Sequence, residues 1–258
     1  MDLQIKNKNA LVCGSTQGIG KASAMALAEE GVNVTLVARN EEKLKTVLAA
    51  LPTHNQKHSY VVADFTNPTD LKEKIEATNL EFHILINNTG GPAGGPIFNA
   101  TLNEFENAFT QHLKCNHVLV QAIVPYMKTQ CFGRIINIIS TSVKQPLDGL
   151  GVSNTIRGAV ANWSKTLANE LGEFGITVNN VLPGATGTER LTQIIKNKAE
   201  KTEKTIDEVA TMMKNASPAK RFATPAEIAN AVVFLASEKA SFINGINVPV
   251  DGGRTKSL

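Results

Sequence analysis

Three glycines follow the first apolar segment of the sequence in the spacing GxxxGxG. The segment reads Gly14-Ser15-Thr16-Gln17-Gly18-Ile19-Gly20 and stands between an apolar run and a helical pattern. Glycine lets a backbone turn tightly and approach a diphosphate, and the N-terminus of the following helix offers free N–H groups and a partial positive charge. The spacing therefore predicts a nucleotide-binding turn, the alternative being an ordinary tight turn, which also needs glycine.

The segment after the second apolar run lacks the acidic residue that would hydrogen-bond the ribose 2′-hydroxyl of NAD. It reads Val37-Ala38-Arg39-Asn40. The guanidinium of Arg39 suits a 2′-phosphate, and the missing carboxylate removes a repulsion against that phosphate. We therefore expect NADP(H) to bind in preference to NAD(H), unless Arg39 is a solvated loop charge.

Short apolar runs rich in valine and isoleucine recur along the chain and alternate with segments of helical period. This alternation is typical of βαβ units, so we expect an α/β fold of the Rossmann type, with a doubly wound parallel sheet of about seven strands and helices on both faces. The predicted strands are Ala10 to Cys13, Val32 to Val37, Tyr60 to Ala63, His83 to Ile86, Arg134 to Ile139, Ile176 to Val181 and Ile246 to Val250.

The composition favours one globular domain that covers residues 1–258. The chain is 42% hydrophobic and 19% charged, and no segment rich in proline, glycine or serine divides it. The stretch from Pro183 to about Thr224 is lysine-rich and irregular in pattern, so we expect a mobile substrate flap at about 185–224.

The same composition excludes several classes of partner. The net charge is +3 with scattered basic residues, which argues against nucleic-acid binding. Three separated cysteines and five histidines without ligand spacing predict no metal site and no disulfide framework. Since no apolar run reaches the ~18 residues of a membrane-spanning helix, we expect no membrane association and a cytoplasmic protein with a small-molecule substrate.

Further motifs follow the glycine turn and are spread over nearly the whole chain. They are, in order, Asp64-Phe65, Asn87-Asn88-Thr89-Gly90, Ile136-Asn137-Ile138-Ile139-Ser140, Asn179-Asn180-Val181-Leu182-Pro183-Gly184 and Val250-Asp251-Gly252-Gly253. With these motifs the chain resembles the short-chain dehydrogenase/reductase family, in particular its β-ketoacyl-carrier-protein reductase-like members. The resemblance implies an oxidoreductase that binds a nicotinamide cofactor.

The resemblance also assigns cofactor contacts to individual positions. Asp64 and Phe65 would flank the adenine, and Asn88 would meet the adenosine ribose. Gly90 would let the chain pass close beneath the cofactor. The residues that would border the nicotinamide are Pro183, Gly184 and Thr188. Asn-Asn and Pro-Gly are also ordinary turn formers.

The catalytic positions depart from the family pattern. Ser140 stands where the family has its catalytic serine, and Ser153, thirteen residues later, replaces the tyrosine. Arg157 replaces the lysine four residues beyond, and His112 stands at the asparagine position. Ser153 is a far weaker acid than a phenol and is shorter by a ring, whereas Arg157 can bind the nicotinamide ribose but keeps its charge.

A different group must therefore supply the proton in a reduction. His112 is the best candidate, because an ordinary histidine pKa near 6.5 suits general acid catalysis and predicts turnover that falls as pH rises through neutrality. Lys144, Asp148, solvent and the substrate itself are the alternatives, and a structural histidine is the competing interpretation of His112.

The leading hypothesis is an NADP(H)-dependent oxidoreductase that moves hydride between nicotinamide and a carbonyl or alcohol. The alternative is a catalytically silent NADP-binding sensor or assembly protein that has lost the acid. Apolar and small residues on more than one face of the helices around 112–127 and 153–171, together with the pairing of these helices in relatives, predict a homotetramer or at least a homodimer.

Overall fold

The computed structural model describes residues 1–257 and contains one seven-stranded parallel sheet. Its order is β3-β2-β1-β4-β5-β6-β7. The strands are β1 (Asn9–Cys13), β2 (Asn33–Ala38), β3 (Ser59–Val62), β4 (Ile84–Asn87), β5 (Gly133–Ile138), β6 (Ile176–Pro183) and β7 (Asn247–Val250). Each predicted strand is present with its ends shifted by at most two residues, so the predicted fold class is confirmed.

Helices cover both faces of the sheet. Successive side chains of each strand point to opposite faces, so both faces carry apolar side chains that the helices bury. In β1, Val12 joins the core beneath one layer of helices, whereas Leu11 joins the core on the other face. The helices are α1 (Gly18–Glu29), α2 (Glu41–Ala50), α3 (Pro68–Glu76), α4 (Leu102–Phe109), α5 (Cys115–Thr129), α6 (Gly151–Leu171), α7 (Glu189–Thr202), α8 (Ile206–Asn215) and α9 (Pro225–Leu235). Within residues 1–257, none is long and apolar enough to cross a membrane.

A row of asparagines crosses the sheet from β4 to β7, and its members on β4, β5 and β6 are buried. Asn87, Asn137, Asn180 and Asn247 are partners in the strand register. Each amide nitrogen donates to the next amide oxygen, over 2.8 Å, 3.0 Å and 2.8 Å in turn. The Asn137 amide also donates to the Ser164 hydroxyl of α6 at 2.9 Å. This amide row fixes the strands against each other at the edge that carries the candidate site.

The segment 185–224, expected to be irregular, instead contains the helices α7 and α8. Thr188 caps α7, and Thr205 begins α8 with a capping box. Leu191, Ile195 and Val209 are buried between the two helices and form a small core of their own. The expectation of an irregular segment is therefore wrong, because these spaced apolar residues lie within a lysine-rich sequence that obscures the helical pattern.

Candidate active site

A cavity of about 660 Å³ lies along the carboxyl edge of the sheet, beside β1, β2 and β4. In an open parallel sheet, ligands bind at this edge, where the strand order reverses direction. The residues that line the cavity are Gly14, Thr16, Gln17, Gly18, Ile19, Ala38, Arg39, Asn40, Lys43, Asp64, Phe65, Thr66, Asn88, Thr89, Gly90, Gly91, Gln111, Thr188, Glu189 and Arg190.

The glycine turn forms one wall of this cavity. Gly14 has a φ of +58°, and a Cβ atom there would lie 2.5 Å from the backbone oxygen of Asn88. The first turn of α1 has no side-chain cap from Gln17 and no acidic residue, so its N-terminus is open to an anion. Ser15 and Gly20 do not line the cavity: Ser15 is buried and its hydroxyl donates to the Val37 carbonyl at 3.4 Å. The turn fits a diphosphate.

Asn88 connects the end of β4 to the glycine turn. Its side-chain amide donates to the carbonyls of Cys13 and Gly14, each at 3.3 Å. Beyond β3, the Asp64 carboxylate accepts from the backbone N–H of Thr66 at 2.9 Å, and Phe65 is largely buried beside it. These contacts position the predicted adenine and ribose residues along one wall of the cavity.

Two exposed cations lie together at the β2 end of the cavity. Arg39 follows β2, and Lys43 stands in the first turn of α2, which Asn40 caps. Within residues 1–257 neither cation forms an ion pair. The nearby Glu41 carboxylate is engaged elsewhere, with Lys45 and the Tyr60 hydroxyl. Arg39 and Lys43 therefore leave their charges available to an anion, such as a 2′-phosphate.

The predicted serines lie at the start of a short helical turn and of α6. Ser140 caps the 3₁₀ turn Thr141–Val143, and its oxygen accepts from the Ser142 N–H at 3.1 Å. This bond leaves the hydroxyl proton of Ser140 available for donation. Ser153 is half-buried in the first turn of α6, and among the described residues its hydroxyl has no hydrogen-bond partner. Only Ser140 is held in place by its own hydrogen bond.

Arg157 of α6 is buried, with 8% of the residue exposed. Its Nη1 donates to the carbonyl of Ile138, the last residue of β5, at 3.0 Å. Burial, followed by the positive charge of Arg190, lowers the pKa of Arg157 to about 10. The guanidinium stays charged at neutral pH, as the sequence predicts, and acts as a fixed donor rather than as a proton carrier.

His112 lies in a π-helical turn, Thr110–Lys114, between α4 and α5. Its Nδ1 is 2.6 Å from the Thr89 hydroxyl, and its Nε2 is buried without a hydrogen-bond partner among the described residues. Burial, followed by the charges of Arg157 and Arg190, lowers the pKa of His112 to about 2. The expected titration near neutrality is therefore wrong, because the ring has lost its water and faces two cations.

The remaining predicted residues lie around the far end of the site. Thr188 caps α7, and its methyl group would lie 3.1 Å from a Cβ atom at Gly18. Pro183 ends β6, and Gly184 is packed so closely on the Asp251 backbone that a Cβ atom would lie 2.7 Å from it. Neither Pro183 nor Gly184 lines the cavity.

Of the alternative proton donors, Lys144 is half-buried. Asp148, the other alternative donor, is exposed on the loop before α6. That loop is attached to the helix by Asn154, whose amide donates to the Leu147 carbonyl at 2.9 Å. Sequence reasoning gave no role to Asn154 or to several residues that line the cavity, among them Lys43, Thr89 and Arg190. Lys43 was detectable, since it follows Arg39 by one helical turn. Thr89 and Arg190 become functional candidates only through contacts distant in sequence.

Comparison with known proteins extends these observations to the whole chain. Residues 14–255 match the family described as enoyl-(acyl carrier protein) reductase. The NADPH-dependent reductase BacG of Bacillus subtilis (strain 168) is 30% identical over 98% of this chain and 100% of its own length. The 3-oxoacyl-[acyl-carrier-protein] reductase FabG of Staphylococcus epidermidis is 32% identical over 96% of this chain and 98% of its own.

A solved structure is similar to this chain in its three-dimensional fold as well. L-sorbose reductase from Gluconobacter frateurii, complexed with NADPH and L-sorbose, has a TM-score of 0.93 and 30% sequence identity, and the match covers 100% of both chains. The similarity therefore includes α7, α8 and the segment at 250–253 as well as the glycine turn.

Proposed function

The chain belongs to the short-chain dehydrogenase/reductase family, and we propose that it moves hydride between NADP(H) and a carbonyl or alcohol with a catalytic set that lacks the family's tyrosine and lysine. The observation that carries this proposal is the continuous cavity, which leads from the free cations Arg39 and Lys43 past the glycine turn to Thr89 and Arg190. Relatives named as NADPH-dependent reductases support the cofactor assignment.

Residues of this chain would hold each part of the cofactor. Arg39 and Lys43 would bind the 2′-phosphate, and the N-terminus of α1 would bind the diphosphate. Asp64, Phe65 and Asn88 would hold the adenosine, while Gly90, Arg157, Pro183, Gly184 and Thr188 would surround the nicotinamide and its ribose. When bound, the nicotinamide supplies or accepts the hydride.

The protein's own groups control the substrate oxygen. Ser140 donates its free hydroxyl proton to that oxygen in a hydrogen bond, and the fixed charge of Arg157 favours the negative charge that develops there. His112 is neutral at working pH, so it does not deliver a proton as an imidazolium. The alkoxide left by hydride transfer therefore takes its proton from Lys144, Asp148, solvent or an acidic group of the substrate itself. In the tautomer with its proton on Nδ1, His112 donates to Thr89 and leaves the Thr89 hydroxyl free to donate into the cavity.

Two measurements test this function. Fluorescence titration should give tighter binding of NADPH than of NADH, and a panel of ketones and aldehydes should include at least one that causes NADPH oxidation. Heat-inactivated protein is the control for spontaneous oxidation. Binding of NADPH without turnover of any carbonyl or alcohol in either direction would contradict the proposed activity.

We also propose that the protein is a homodimer or homotetramer that pairs through α5 and α6. Supporting this, Trp163 on α6 is only partly buried and pairs with the exposed His117 on α5. Light scattering at micromolar concentration should give at least twice the mass of one chain, and a monomer would contradict the proposal.

We propose that α7 and α8 move together as the substrate flap. Their shared small core lets them shift as one unit. Arg190 holds this unit to the loop after β4, because its guanidinium donates to the carbonyls of Gly91 and Pro92 at 2.9 Å and 3.1 Å. Hydrogen exchange should show increased protection of the flap when NADPH binds, and unchanged protection would contradict this role.

A further inference from the structure

Two arginines from different elements meet beside Gly91, at the β4 and β5 end of the site. A Cβ atom at Gly91 would lie 2.8 Å from Nη2 of Arg190 and 3.5 Å from Nη2 of Arg157. The two Nη2 atoms are therefore no farther apart than the sum of these distances. At such a separation, one oxygen of a carboxylate can accept a hydrogen bond from Arg157 while the other accepts from Arg190.

No acidic side chain neutralises this pair. Arg157 donates to the Ile138 carbonyl, and Arg190 donates to the carbonyls of Gly91 and Pro92, which are all uncharged acceptors. In the part of the chain that the structure describes, neither arginine forms an ion pair with Asp or Glu. Burying a guanidinium such as Arg157 without a counter-charge is costly, so the arrangement favours an anion in the site.

His112 is buried close to the same two positive charges. It is 1% exposed, and its Nε2 has no hydrogen-bond partner among residues 1–257. Both arginines contribute to lowering its pKa, which shows that their positive potential extends to the imidazole. A ligand that brings negative charge would relieve this potential.

The position of Arg157 separates it from the 2′-phosphate site of the cofactor, whereas Arg190 lines the same cavity as the glycine turn. Arg39 and Lys43 lie at the end of β2, whereas Ile138 ends β5, and β1 and β4 lie between these strands in the sheet. The N-terminus of α1, which follows β1, already offers donors for the diphosphate. The alkoxide that forms during reduction is transient and would leave both charges uncompensated in the ground state.

We propose that Arg157 and Arg190 form an anion pocket for the substrate, and that the carbonyl compound turned over by this protein is a carboxylate, in other words an oxo acid. This inference rests on the proposed oxidoreductase function. It names a class of substrate, since the acid group would be held by the arginines while Ser140 holds the reacting oxygen.

Matched substrates test the pocket in the complete, NADPH-loaded protein. The panel contains 2-oxo and 3-oxo acids, each with its methyl ester, so that the reacting carbonyl is the same within each pair. We expect kcat/KM to be on the order of 10–100-fold higher for the acid, which is the range for one charge-assisted contact. Equal kcat/KM for acid and ester would overturn the inference and leave the proposed function intact.

Substitution of Arg190 distinguishes recognition from a structural role. In Arg190→Gln, kcat/KM for the acid should fall to that of the ester, so the acid-to-ester ratio measured within the variant should approach 1. Arg221→Gln, an exposed flap arginine that pairs with Glu227, is the matched control and should keep the acid preference. If Arg190→Gln weakens NADPH and leaves the acid preference, the pair serves the cofactor phosphates and the inference is wrong.

A binding measurement covers the case in which no compound of the panel reacts. Benzoate should change the fluorescence of protein-bound NADPH at concentrations where benzamide does not, and Arg190→Gln should abolish the difference. This result would support the anion pocket even if the proposed activity failed. Equal responses to benzoate and benzamide would overturn the pocket.

Discussion

Replacing His112 by asparagine should change how the stability of the protein depends on pH. In the folded state, burial and two neighbouring arginines hold the pKa of His112 at about 2, whereas the unfolded chain has the ordinary value of 6.5. Below pH 6.5 the unfolded state therefore binds a proton that the folded state excludes, and the free energy of unfolding falls as pH falls. The contribution is about 1.4 kcal/mol per pH unit, or roughly 2.7 kcal/mol over two units.

The assay is urea unfolding at fixed protein concentration and ionic strength, in steps from about pH 7.5 to 4.5. His112→Asn has nothing to protonate, so its stability should fall less steeply than that of the unaltered protein by the stated amount. Burial also lowers the pKa of His83, to about 4. The pH dependence that this causes is the same in both proteins and cancels when their stabilities are compared. His54→Asn, at an exposed position, should behave like the unaltered protein.

Parallel stability curves for His112→Asn and the unaltered protein would refute the reasoning, because they would mean that the folded protein protonates His112 without penalty. A difference in stability slope between the two proteins that is confined to pH values above 6.5 would lie outside the range in which the unfolded state takes up the proton, and it would refute the reasoning equally.

Three further predictions concern the site and the sheet. Arg39→Ala should weaken NADPH binding by roughly 10-fold or more and leave NADH unchanged, as measured by fluorescence titration, whereas equal losses would contradict the 2′-phosphate assignment. Ser140→Ala should lower kcat by about 10²-fold for any carbonyl that is reduced, while Ser153→Ala should change it little; a large loss from Ser153→Ala in steady-state assays would reverse these roles. Asn137→Leu should lower the free energy of unfolding by about 2 kcal/mol in urea, because the buried Asn87 amide loses its acceptor, and an unchanged urea midpoint would contradict this.

The sheet could be predicted from the sequence because its strands are buried on both faces. Runs such as Ala10 to Cys13 in β1 are apolar throughout, so composition and length identify them without any tertiary information. The helices α7 and α8 show the opposite case. Their buried residues are few and face only each other, and charged neighbours mask the periodicity that would have revealed them.

The site was predictable in proportion to how local its features are. The glycine turn is one continuous segment, and Arg39 follows it by one βα unit, so spacing is sufficient to find both. The approach of Arg190 to Gly91 joins positions 99 residues apart and depends on how the flap lies over the loop after β4. The low pKa of His112 likewise depends on burial and on both arginines, which no local pattern encodes.

The amide row also constrains how the sheet can assemble. If β5 paired with β4 two residues out of register, with Asn137 opposite Leu85, Asn87 would be buried without its amide acceptor. Each such amide costs about 1–3 kcal/mol, so a misaligned sheet is penalised at several strands together. A parallel sheet of apolar strands otherwise has little to distinguish one alignment from another. The four asparagines therefore favour the native alignment of these strands over neighbouring alignments, and a chain in which apolar residues replace them should have less specific strand pairing.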